Sequence, residues 1–467
     1  MKRLLYTLSL LWLAGCATPE PVPTRIIIHP VPKGIYYGMH NDDFTVRVRE
    51  IGGEWQDLYE YKAMVDMDAP VETSMVHFDF EGEVEVEVCK NNGIAHTAEI
   101  RPQALGVKYN LEGNRLTFRM TEPQDLSIEF DGDRLRNLQL FTNAPEGEDV
   151  PTADTPGVRY FGEGVHTPAE GERGFRIPSN TYVYLAPGAV VKGTLICDHV
   201  ENVRIGGRGM LVTPPRGIQI TFSKGVTVED IIVVNPRHYT VFGGQSEQIT
   251  VRNLRSFSYQ GWSDGIDIMS CSDVLVEGVF MRNSDDCIAV YGPRWEYRGD
   301  VRNVEVRNSV LWADIAHPIN IGIHGYTADG IGNTLEGLKF HNIDILEHDE
   351  DDRKCQGCLC ICCGDLNMIR DVLFENIRIE RIQEGQVFRL EITYSEKYNT
   401  APGRGIEDVT FRNIRSVKGP RTPMIMGYNT EHMIRNIHFE DVVIDGEPFR
   451  SLEHVETNEF IENITFN

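Results

Sequence analysis

The sequence predicts an all-β protein, a parallel β-helix preceded by a small β-sandwich-like N-terminal domain. Three observations predict it. From Val203 onward a phrase recurs, apolar, polar, apolar, polar, then Asn, Gly or Asp, with β-branched and aromatic residues at the two-residue period of a strand. Its copies start near twenty-three residues apart and lengthen to the thirties, as coils of a solenoid do when they carry loops on one side. Ahead of this array lie short alternating segments separated by Gly, Asn and Asp, the pattern of an antiparallel sandwich.

At the start of the chain, Lys2 and Arg3 precede an apolar run from Leu4 to Leu13, too short to span a membrane and laid out as a secretory signal. The run ends in Leu-Ala-Gly-Cys at Leu13 to Cys16, which resembles a bacterial lipobox. The expectation is a signal peptide over residues 1–15, a lipid anchor on Cys16, and a place in the bacterial cell envelope with membrane contact through that anchor only. The proline-rich residues 16–34 read as a tether. Residues 35–150 form the sandwich-like domain, with strands expected at Val76–Phe80, Val84–Val88, Leu116–Met120 and Leu126–Phe130. It shows no catalytic cluster, so its expected role is to cap the helix or border the substrate path.

A formal net charge of −25 excludes nucleic acid as a partner, because polyanion binding needs a basic surface. Apart from Cys16 there are nine cysteines, five of them crowded into Cys355, Cys358, Cys360, Cys362 and Cys363, and a dense disulfide scaffold is not expected at this length. Cys358, Cys360 and Cys362 alternate, so on a strand they are expected to share one face and fill the core as small apolar groups. The fixed ligand loops of zinc sites are absent, and neither a metal nor a cofactor is expected. The acidic run His348 to Asp352 reads as a solvated loop.

Residues 155–467 form the β-helix. The stretch from Arg176 to Gly193 supplies its first coils, and the preceding domain is expected to cover that end. Ten copies of the phrase follow, beginning at Val203, Val226, Ile249, Val274, Val304, Leu338, Val372, Val409, Ile437 and Ile464.

Two successive coils hold acidic phrases of similar shape, Ser263-Asp264-Gly265-Ile266-Asp267 and Ser284-Asp285-Asp286-Cys287-Ile288. Asp264 and Asp285 are about one coil apart and should project near one another, with Asp286 beside them. Carboxylates that share a cleft repel one another and raise the pKa of at least one, so that an acid and a base coexist near neutral pH, as glycosidic cleavage requires. A further coil carries Ala316-His317-Pro318-Ile319-Asn320-Ile321-Gly322, which puts His317 in phase with the aspartates.

The order of these three phrases resembles glycoside hydrolase family 28, the polygalacturonases and their relatives. The resemblance implies a right-handed parallel β-helix and cleavage with inversion. It implies Asp285 as general acid, Asp264 and Asp286 as the partners that hold the attacking water, and His317 beside them. Around these positions the sequence departs from the family: Trp262-Ser263 stands before the first aspartate, and Ala316 and Pro318 flank the histidine. The family's basic phrase, which grips a uronate carboxylate, should fall near Gln356 to Ile361, where no basic residue occurs. A neutral or differently charged glycoside is therefore a credible substrate. Arg294 and Arg298 could supply cations from another direction, and Arg389, Glu391, Tyr428 and His432 could line one end of the cleft. The sequence leaves two alternatives, a polysaccharide lyase acting on a uronic-acid glycan and a non-catalytic glycan-binding solenoid. The intact set of three aspartates speaks against both.

Overall fold

The computed structural model describes residues 23–467, so the leader and Cys16 lie outside the described residues. The repeating phrases stack directly on one another. Val203, Val226, Ile249, Val274, Val304, Leu338, Val372, Val409, Ile437 and Ile464 are successive partners in one parallel ladder. Two residues further along each strand, Ile205 begins a second row that ends in Phe340, Phe374, Phe411, Phe439 and Phe466. Both rows pack into one continuous apolar interior. In-register pairing puts like side chains about one strand spacing apart, so the phenylalanines stack face to face. Ring centroids are 5.0 Å apart for Phe374 and Phe411 and 5.0 Å for Phe411 and Phe439.

The corners of the coils are made by asparagine and aspartate. Asn308, Asn342, Asn376 and Asn413 hold φ between 50° and 54°, the left-handed conformation that Asn tolerates better than most residues. Their amides also bridge coils: Asn342 Nδ2 donates to Asn308 Oδ1 at 2.8 Å and Asn413 Nδ2 to Asn376 Oδ1 at 2.6 Å. The coils thereby form a right-handed parallel β-helix with two large sheets. The eleven-stranded sheet, from Gly174–Arg176 to Glu456–Thr457, carries the acidic phrases on its approaches.

Ahead of the helix, a six-stranded and a five-stranded sheet enclose their own core, which includes Val46, Phe78, Phe80, Val86, Phe118 and Ile128. The expected strands are all present, with two corrections. Arg25–Ile27, inside the expected tether, is a strand paired antiparallel with Val71–Glu81, because Ile26 packs against the sandwich core. The six-stranded sheet is also not wholly antiparallel, since Leu138–Asn143 runs parallel to Val71–Glu81.

The sandwich lies along the flank of the coils. The reason is that its six-stranded sheet is buried on both faces. Val76 and Phe78 point into the sandwich, whereas Met75, Phe141, Tyr61 and Val65 meet an outward apolar row of the helix, including Met210, Ile232, Phe257, Phe280 and Trp312. Arginines bolt this seam. Arg282, fully buried, pairs with Asp314 at 2.9 Å, donates to Asn137 Oδ1 at 2.7 Å and lies 4.2 Å from the centre of the Trp312 ring. Arg101 bridges Glu129 and Glu380, both at 2.7 Å.

Candidate active site

Asp264, Asp286 and His317 occupy equivalent positions on three consecutive coils. In each, the carbonyl of the residue accepts the first cross-coil bond of the turn: Thr240 N to Asp264 O, Gly265 N to Asp286 O and Cys287 N to His317 O, all at 2.8 Å. Asp286, not Asp285, therefore stands in register with Asp264. The strands that begin just after them, Ile266–Met269, Ile288–Tyr291 and Ile319–Gly322, hold all three at one edge of the eleven-stranded sheet. Carboxylate oxygens of Asp264, Asp285 and Asp286 come within 4.8 Å of one another.

The two adjacent aspartates of the pair are in opposite electrostatic states. Asp286 Oδ1 accepts from His317 Nδ1 at 2.6 Å, and its Oδ2 accepts from the Tyr291 hydroxyl and Asn320 Nδ2, each at 2.7 Å. Burial opposes its ionisation, but His317, Asn320 and Tyr291 together outweigh burial and hold the carboxyl below the usual carboxylate range. Asp285 is only half-buried, with φ at 153°. It accepts from the backbone amides of Trp262 at 2.7 Å and Asp286 at 3.1 Å. Burial, reinforced by the charge of Asp286, pushes its carboxyl up to about 6.

Beneath them is a carboxyl pair. Asp267 is fully buried, and neither of its oxygens has a donor; Asp264 Oδ1 lacks one as well. Burial and then mutual repulsion raise Asp264, and burial raises Asp267 while Arg294 pulls it back. Asp264 and Asp267 therefore lose their protons as a pair and not independently. His317 is itself raised: burial would lower it, but Asp286 and Cys360 together outweigh burial.

The remaining expected residues are distributed unevenly. Arg294 is brought to the site, where its charge acts on Asp264 and Asp267 and its Nη1 donates to the Tyr239 hydroxyl at 2.9 Å. Arg298 instead braces its own loop through the carbonyls of Trp295 and Tyr297. Arg389 is buried and paired with Glu391 through two bonds of 2.9 and 2.6 Å, two coils past Asn320. Tyr428 is exposed beyond Met424–Met426, about 14 Å further along the axis than Asn320.

Two expectations are corrected here. His348 and Glu350 are buried, so the acidic run is not wholly a solvated loop; burial pushes Glu350 up to about 7, and its Oε2 lies 3.9 Å from His317 Nε2. Cys358 also does not share a face with Cys360 and Cys362. It joins Leu359, Ile361 and Cys363 in the interior, while Cys360 and Cys362 face the cleft side.

Sequence reasoning passed over Asp267, Tyr291 and Asn320. Asp267 and Asn320 were legible as polar residues inside otherwise apolar strand segments. Trp262, with 70% of its surface exposed, and Trp295, with 44%, flank the site, and Trp295 stacks on Tyr239 at 6.0 Å.

The model of the family described as glycosyl hydrolases family 28 matches residues 194–462, more than half of the chain. The chain belongs to glycoside hydrolase family 28. Among curated relatives, a protein described as a probable endopolygalacturonase, from two strains of Aspergillus fumigatus, is 25% identical over 236 residues, 50% of this chain and 52% of the relative. The family 28 chain thus spans about half the length of those relatives. Two solved structures share its fold. Dex49A from Penicillium minioluteum superposes with a TM-score of 0.54 at 13% identity, covering 91% of this chain and 94% of that one. The family 28 exopolygalacturonase of Yersinia enterocolitica gives 0.51 at 12% identity, covering 81% and 96%.

Proposed function

We propose that this family 28 chain is a glycoside hydrolase that cleaves O-glycosidic bonds of poly- or oligosaccharides with aspartate acid and base groups. Asp285 protonates the departing oxygen, and Asp286, assisted by Asp264, takes the proton of the attacking water. The observation that carries this reading is the split between neighbours. Asp285 is half-buried with its carboxyl raised to about 6, whereas Asp286 is buried, bonded by His317, Tyr291 and Asn320, and held below the usual carboxylate range. An acid and a base side by side at one pH are what the reaction needs.

Inversion is the first stereochemical reading, because each oxygen of Asp286 is already engaged by donors and makes a poor nucleophile. Proton NMR of the first-formed anomer tests this reading.

For substrate, the exposed Trp262 and Trp295 offer aromatic faces to sugar rings, and thiols and apolar groups fill Gly357–Cys363, where a uronate-binding cation is expected. Arg294 is engaged by Tyr239 and the acidic pair. These features favour neutral glycans over polygalacturonate. The test is incubation with uronic, neutral and sulfated oligosaccharides. Saturated reducing sugars from a neutral glycan support the reading, whereas unsaturated products indicate elimination by a lyase. We also propose attachment to the bacterial envelope through Cys16, supported by the lipobox-like Leu13 to Cys16. Fatty-acid labelling that is unchanged in Cys16→Ser would overturn it.

A further inference from the structure

Three thiols converge beside His317. Cys355 Sγ lies 3.0 Å from Cys360 Sγ and 2.7 Å from Cys362 Sγ, and Cys360 and Cys362 are 3.5 Å apart. His317, Cys355 and Cys360 each offer a donor atom within 4.8 Å of the others. Core filling does not require this arrangement. Cys358 and Cys363 do fill the interior, but Cys360 and Cys362 sit on the opposite, outward face of Gly357–Cys363, and Cys355 folds back onto them from the preceding loop. Cys355, Cys360 and Cys362 are all buried and unbridged.

We propose that Cys355, Cys360 and Cys362, with His317 Nε2 as fourth donor, form a site for a thiophilic divalent cation such as zinc. Three sulfurs and one imidazole are a donor set suited to such an ion. Tetrahedral binding at ~2.3 Å from each sulfur asks the thiols to part to roughly 3.8 Å, and Cys362, which is outside the 4.8 Å group of His317, Cys355 and Cys360, to draw nearer to Nε2. The imidazole is already oriented for the role: Nδ1 is fixed by the buried Asp286 at 2.6 Å, the carboxylate–histidine pairing that positions metal-bound imidazoles. Nε2 now hydrogen-bonds the Cys355 carbonyl at 2.9 Å. On binding, three thiol protons and the Nε2 proton are released, the Nδ1 bond to Asp286 is kept, and the site carries one net negative charge. Arg389, partner of Cys360 in the strand ladder and itself buried, lies against that charge. The absence of fixed ligand loops hid this site in the sequence, because one donor comes from a loop, two from alternate positions of a strand, and one from the neighbouring coil. The ion would clamp His317, and through it Asp286, against the end of the cleft.

The test does not depend on finding a substrate. The full chain, purified in detergent under reducing conditions, is stripped with a chelator and loaded with zinc or cobalt. One equivalent of zinc should survive gel filtration, and the cobalt form should show sulfur-to-metal charge transfer with the visible bands of a four-coordinate ion. Cys360→Ser and Cys362→Ser should each lose both signals, while Cys89→Ser, in the N-terminal sandwich, keeps them. The proposal is overturned by a wild-type chain that retains no stoichiometric metal, by a cobalt spectrum without sulfur charge transfer, by a Cys355–Cys362 disulfide in peptide mapping, or by full retention in Cys360→Ser. Because the wild-type spectrum is decisive alone, misfolding of a variant does not rescue the idea.

Discussion

His317 Nδ1 lies 2.6 Å from Asp286 Oδ1, with both side chains buried, and this bond ties the third coil of the site to the second. Tyr291 and Asn320 hold the other oxygen of Asp286, so removing His317 frees one edge of the base without discharging it. His317→Ala should lower kcat by roughly 10²-fold through misplacement of Asp286, with KM little changed. Steady-state kinetics on the substrate found by oligosaccharide screening checks this; a change confined to KM would assign His317 to sugar binding.

The carboxyl of Asp285, raised to about 6, sets the alkaline side of the rate profile. The acid form is required, so kcat/KM should fall as pH rises through about 6, and Asp286, held below the usual carboxylate range, should limit activity only at much lower pH. The same shift has a sign for stability. A carboxyl raised in the folded state binds its proton more tightly there than in the unfolded chain. Folding stability from this group is therefore lost as pH rises from the ordinary carboxylate range through about 6. Asp285→Asn should consequently melt at a higher temperature than wild type at pH 7 and at nearly the same temperature at pH 4. Thermal denaturation at the two pH values tests the difference.

Arg282 sits in the seam between sandwich and coils, shielded from water and paired with Asp314. Arg282→Ala strands a buried carboxylate and should cost ~3–5 kcal/mol in chemical denaturation. Loss of less than about 1 kcal/mol would mean that the seam is not held by this pair.

Trp262 holds φ at 59°, gives its backbone amide to Asp285 and leaves its ring in solvent. Trp262→Gly keeps the amide, suits the left-handed backbone and removes only the ring. Stability should be unchanged or slightly higher while KM rises several-fold. An unchanged KM would remove the ring from the sugar-binding surface.

The solenoid was legible in the sequence because each coil repeats its own inward residues. Val203 and Ile464 announce the same ladder position nine coils apart. The aspartates and His317 were legible because coil spacing carries phase. What stayed hidden depends on the third dimension. The side-on packing of the sandwich follows from which alternate residues of Val71–Glu81 face outward, and both sets are apolar enough to be buried. The pairing of Arg389 with Glu391 follows from their shared strand face. The convergence of Cys355 on Cys360 and Cys362 is made by a loop whose path no periodicity records.

The most direct test of the account is the hydrolysis rate of Asp285→Asn on two substrates of the same sugar, an ordinary glycoside and an aryl glycoside whose leaving group departs without protonation. If Asp285 is the proton donor, the variant should lose on the order of 10²–10⁴-fold on the ordinary glycoside and far less on the aryl one. Equal losses on both, or no loss on either, would contradict the assignment.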